Sequence, residues 1–106
     1  MGRFVIAAFK PKPGSQAQLL AVVAKHWDVL RGEGLVTDRP RHAMQSADGT
    51  VVEVFEWRSP EAIEAAHRGP VVQALWAELE AVCEYAPLNA LAESQHPFSE
   101  FEALPL

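Results

Sequence analysis

The sequence predicts an α+β fold of order β-α-β-β-α-β, an antiparallel sheet with its helices on one face. Three observations carry this reading. The segment Arg3 to Phe9 is apolar on both parities, with Phe4, Ile6 and Ala8 on one and Val5, Ala7 and Phe9 on the other. Ser46-Ala47-Asp48-Gly49-Thr50 sets an Asp-Gly pair between two extended stretches, a strong hairpin signal. Two stretches of helical period lie on either side of that hairpin. The resulting order is the split β-α-β of the ferredoxin-like fold.

The first strand needs cover on both faces, and it ends in Lys10-Pro11-Lys12-Pro13-Gly14, a loop. Ser15 is an N-cap candidate. Leu19, Val22, Val23, His26, Trp27 and Leu30 then fall at helical spacing, giving an amphipathic helix over 15–31 that Gly32 or Gly34 ends. From Val36 to Ala47 the pattern is polar and strand-like, with Pro40 making its start an edge or a bulge. The partner strand, Thr50 to Trp57, is rich in β-branched and aromatic residues. Ser59-Pro60-Glu61 reads as N-cap, first-position proline and first-turn acid. Ala62 to Cys83 is helical in period and breaks at Gly69-Pro70. Leu88 to Ala92 reads as the last strand. The tail from His96 to Leu104 carries too many apolar side chains to be a free solvated end.

Helices in this topology cover one sheet face, whereas the first strand is apolar on two. A second copy of the sheet supplies the missing layer, so a homodimer is expected, with Phe98, Phe101 and Leu104 as candidates for crossing to the partner. A chain of 106 residues fits one domain, 1–106, with a core over 3–92 and a tail over 93–106. Lys plus Arg number 9 against 14 for Asp plus Glu, a net charge of -5, which argues against a nucleic-acid footprint. No apolar run is long enough for a transmembrane helix, so no membrane partner is expected. The N-terminal run lacks a small-residue cleavage site and reads as a strand rather than a signal peptide, so the expected location is cytoplasmic. Cys83 is the only cysteine, which precludes an intrachain disulfide and a cysteine-based zinc cluster, and it reads as a small core residue.

The stretch Glu53-Val54-Phe55-Glu56-Trp57-Arg58-Ser59, followed by Glu61-Ala62-Ile63-Glu64-Ala65-Ala66-His67 and Pro70-Val71-Val72-Gln73-Ala74-Leu75, resembles the antibiotic biosynthesis monooxygenase family. There a strand closes on an aromatic residue, a short helix carries a His, and a break leads into an amphipathic helix. The resemblance spans about residues 3–92. It implies a dimeric α/β barrel. It also implies one of several activities, among them oxidation of quinols or anthrones by oxygen without a cofactor, and haem degradation. Haem degraders of this kind need an Asn on the first strand, a Trp in the short helix and a His in the second. Here the strand has no Asn, and the matching helix positions are Ala66 and Trp76, so haem degradation is not expected.

Cofactorless oxygenation requires a base that ionises the substrate, a dry apolar cavity and donors for the anion. The resemblance makes His67 the candidate catalytic base, and histidine titrates in the right range; a packed helix-end His is the alternative. Trp57 and Phe55 are candidates to wall a pocket for a small hydrophobic or aromatic ligand, or else to fill core. Val51, Glu53, Phe55 and Trp57 share one strand face, so one of Glu53 and Glu56 points into an apolar layer. A carboxylate there would have a raised pKa unless paired. Arg41 and His42 on the preceding strand are candidate neighbours, a surface ion pair being the plainer alternative. Asn89 alternates with Leu88 and Ala90 and is a candidate donor into the barrel. His26 reads as a satisfied boundary histidine, and Trp27 and Trp76 as helical core. No metal-ligand spacing is present, and no cofactor is expected. The leading expectation is a cofactor-independent monooxygenase acting on a small aromatic or quinol-like substrate. A non-catalytic ligand-binding or dimerisation module of the same fold is the alternative.

Overall fold

The computed structural model describes residues 1–106. Its strands are β1 (Arg3–Pro11), β2 (His42–Gln45), β3 (Val51–Trp57), β4 (Cys83–Ala86) and β5 (Glu102–Ala103), and its helices α1 (Gln16–Gly32), α2 (Pro60–Arg68) and α3 (Pro70–Val82). They form one sheet in the order β4-β1-β3-β2-β5, every pair antiparallel. The first four strands in that order are the ferredoxin-like arrangement the sequence predicts.

Register decides which side chain meets which. Val5 pairs with Phe55, Ala7 with Glu53 and Phe9 with Val51, and this set faces the helices. Phe4 opposite Glu56, Ile6 opposite Val54 and Ala8 opposite Val52 face the other way. Leu19, Val22, Val23, His26 and Leu30 of α1 are buried, an i, i+3, i+4, i+7 stripe against the sheet. Val72, Leu75 and Leu79 do the same for α3.

The hairpin forms where Asp-Gly predicts it. Gly49 adopts φ +93°, a backbone region that favours glycine, and its N–H donates to the Ser46 carbonyl. Ser59 caps α2 by accepting from the Ala62 N–H at 3.1 Å, with Pro60 at the first helical position. The break between α2 and α3 falls at Gly69, held extended by the following Pro70.

One expectation is corrected. The last core strand is Cys83–Ala86, not Leu88 to Ala92. Helix α3 stops at Val82, Cys83 turns extended, and Pro87, with no N–H to donate, ends the pairing with β1. Leu88–Ala90 is instead a turn of 3-10 helix, followed by another at Ala92–Gln95. The tail returns to its own chain: β5 pairs with β2, Leu104 packs against the core and Phe101 against Ala8, Val52 and Leu91. Glu93 fastens this segment to the hairpin by accepting from the Ala47 N–H at 2.9 Å. Of the three candidates for crossing to a partner, Phe98 stands fully out. The tail thus covers one end of the sheet face opposite the helices, and Phe4 and Ile6 on that face remain more than half exposed.

Candidate active site

A cavity of about 530 Å³ lies on the helix side of the sheet. Small-molecule sites run from about 300 to 1,000 Å³. Its floor is Val5, Ala7 and Phe9 of β1 with Phe55 and Trp57 of β3, its walls His26 of α1 and Trp76 and Leu79 of α3, and its rim His67 and Tyr85. Strand β4 pairs only with Ala8–Pro11, so beyond Ala86 that edge of β1 is free, and Ile6 and Ala86 border the cavity there.

Phe55 and Trp57 are both buried and meet edge to face at 5.3 Å, yet they leave the cavity open. Against this apolar surface stands one polar assembly. His26 Nδ1 lies 2.7 Å from Glu53 Oε1, and Arg41 donates to Glu53 Oε2 at 2.9 Å. Glu53 is wholly buried, and the side chains of His26 and Arg41 are 5% and 8% exposed. Arg41 also donates to the carbonyls of Val23 and Ala24, tying α1 to the carboxylate. The His26 ring is held edge-on between Phe9 and Phe55, with centroids 6.2 and 5.8 Å away.

These partners assign the histidine tautomer. Trp76 Nε1, which can only donate, points at His26 Nε2 at 3.4 Å. His26 Nε2 is therefore the acceptor, Nδ1 carries the proton and Glu53 accepts it. The cavity thus contains an imidazole lone pair backed by a carboxylate whose own charge is balanced by Arg41. A base oriented by a carboxylate is the arrangement that general-base chemistry uses.

His67 is exposed at the rim. Its Nδ1 donates to the Ile63 carbonyl at 2.8 Å, its ring meets Trp76 edge-on at 5.0 Å, and Gln73 donates to its carbonyl. Burial, reinforced by Glu80 and Cys83, pushes the Tyr85 hydroxyl up to about 12, so it remains a donor at the cavity rim. Burial likewise pushes the Cys83 thiol up, as befits a core residue rather than a nucleophile.

Of the residues singled out from the sequence, His67, Trp57 and Phe55 border the cavity. Glu53 stands behind His26 and reaches the cavity only through it. His42 does not line it: it pairs with Val54, on the far face of the sheet, while Arg41 shares the parity of Ala43 and Glu53. Asn89 is also outside, exposed on a 3-10 turn instead of facing inward from a strand. Glu56 takes the opposite face, bonded to Thr37 and paired with Arg39. His26 and Trp76, read as boundary and core, prove to line the cavity. The sequence did hold a signal for His26. One polar residue on the apolar stripe of α1 and one carboxylate on the apolar face of β3 each need a buried partner, and each can supply the other's.

No family model and no curated protein matches this chain. Among solved structures, Rv0793 from Mycobacterium tuberculosis is similar at a TM-score of 0.66 and 25% identity, over 81% of this chain and 89% of that one. A protein provisionally called an antibiotic biosynthesis monooxygenase, from Chloroflexus aurantiacus J-10-fl, is similar at a TM-score of 0.60 and 18% identity, with the same coverages.

Proposed function

We propose that this chain, which has the antibiotic biosynthesis monooxygenase-like fold, is a cofactor-independent monooxygenase for a small aromatic, quinol- or anthrone-like substrate, and that it acts as a homodimer. The observation that carries this reading is the buried His26–Glu53–Arg41 assembly, whose imidazole borders an apolar cavity. His26 Nε2 removes the substrate's acidic proton, and Glu53 holds the ring by accepting from Nδ1. With Arg41 and Glu53 already offsetting one another, proton transfer creates an imidazolium beside a substrate anion, an ion pair instead of a lone charge. That limits the penalty of charge separation in a dry site. His67, at the rim, is the second candidate base.

The anion then reduces oxygen. For an anthrone, a CH₂ carbon becomes a carbonyl: one oxygen atom enters the product, the other leaves as water, and the substrate supplies all four electrons. The chain's residues need only ionise the substrate, exclude water and support the anion.

Oxygen uptake by purified, chelator-dialysed protein against a panel of quinols and anthrones, with autoxidation subtracted, tests the reading. Saturable uptake with stoichiometric product is expected. Traces that stay flat across the panel would count against it and favour a ligand-binding role for the same cavity.

A further inference from the structure

The Trp76–His26 contact is odd for a resting polar pair. At 3.4 Å it is long for an N–H to nitrogen hydrogen bond, at the edge of useful strength. Trp76 Nε1 has no other partner, and both groups line the cavity. Once the indole turns its N–H off the imidazole, two nitrogens 3.4 Å apart can both lie about 2.8–2.9 Å from a third atom at the apex of a triangle, the normal range for strong hydrogen bonds to oxygen. One of these nitrogens accepts and the other donates. An oxygen that gives up a proton on one side and then needs a donor on the other suits that apex.

We infer that Trp76 is a substrate-binding and anion-stabilising residue, and that the site takes hydroxyarenes, compounds with an ionisable aromatic hydroxyl, by inserting that oxygen between Trp76 Nε1 and His26 Nε2. In the empty site the indole N–H covers the lone pair of the base. The incoming hydroxyl displaces this weak contact and donates to His26 Nε2. Its O–H bond then breaks as the N–H bond forms, and the freed indole N–H donates to the phenolate oxygen. The indole thus occupies the base in the empty site and steadies the anion in the filled one. Edge contact with His67 at 5.0 Å sets the indole from the rim side. This rests on the cavity being the substrate site, but not on any reaction with oxygen.

Equilibrium binding of 4-nitrophenol, whose anion absorbs in the visible, separates these roles without turnover. Wild-type protein should bind it as the anion below its solution pKa, and should bind 4-nitroanisole, which cannot ionise, far more weakly. Trp76→Phe keeps an aromatic wall but removes the donor. It should weaken anion binding about tenfold or more, the scale of one hydrogen bond to a charged group, and leave 4-nitroanisole binding nearly unchanged. Equal affinity of wild-type protein for the two ligands would overturn the inference with no variant involved. Undiminished anion binding by a folded Trp76→Phe protein would overturn it as well. Anion binding without oxygen uptake would retire the monooxygenase reading and leave this one standing, whereas uptake without any preference for the anion would do the reverse.

Discussion

Glu53 shows how little of a site one residue reveals by itself. The alternation of β3 puts Glu53 and Glu56 on opposite faces, which is legible, but which face is covered by helices is not. The structure gives Glu53 the covered face and surrounds its carboxylate with His26 and Arg41. Removing one partner of such a buried pair leaves the other's charge uncompensated. Glu53→Gln preserves shape while stranding the Arg41 guanidinium, and should destabilise the fold by about 3–5 kcal/mol in urea denaturation. A loss below about 1 kcal/mol, the scale of a surface pair, would mean the carboxylate is not the buried charge described. Arg41 and His42 are both candidate neighbours of this carboxylate from across the hairpin. A single step along a strand reverses the face, and Arg41 is the one that reaches it.

At the scale of elements, the legible pieces are those with punctuation. Ser59-Pro60 and Asp48-Gly49 each carry a local mechanism that needs no tertiary context, and both form as read. Ser59→Ala should cost about 1 kcal/mol, measured as a lower melting temperature, since the Ala62 N–H loses its side-chain acceptor. In the hairpin, the Ser46 hydroxyl and then the Thr50 N–H hold the Asp48 carboxyl below the usual carboxylate range. A pKa lower in the folded than in the unfolded state adds stability that is present above about pH 4 and lost as pH falls through the folded value. Asp48→Asn should therefore be less stable than wild type at pH 7, by less than about 1 kcal/mol in so exposed a turn, and converge with it at strongly acidic pH. A gap independent of pH would assign the effect to shape instead of charge. Strand β4 was missed because the apolar run of α3 continues through Val82 into Cys83 with no breaker between them. Pro87 was read as opening a strand when it closes one.

At the scale of the molecule, the sheet has one face covered by helices and one covered only in part, where Leu91 and Phe101 pack on Ala8 and Val52. Phe4 and Ile6 remain exposed side by side on β1. A second copy is the proposed cover, and the two-faced apolar pattern of β1 was the sequence signal for it. Ile6→Glu would then bury a carboxylate against the partner. Sedimentation should find a dimer for wild type and a monomer for the variant. A monomeric wild type would contradict the proposal. The cavity was less legible than the sheet. Phe55 and Trp57 read equally well as core or wall, because an aromatic side chain has the same sequence signature whether it fills a space or lines one. The long-range pairing of His26 with Glu53, 27 residues apart, appears only when α1 lies across β3.

The decisive question is which imidazole ionises the substrate. Initial oxygen-uptake rates of His26→Ala and His67→Ala proteins, on a hydroxyarene that wild type consumes, test that directly. His26→Ala should lose about two to four orders of magnitude and His67→Ala much less. The reverse order would place the base at the rim and reduce the His26–Glu53–Arg41 assembly to a structural one.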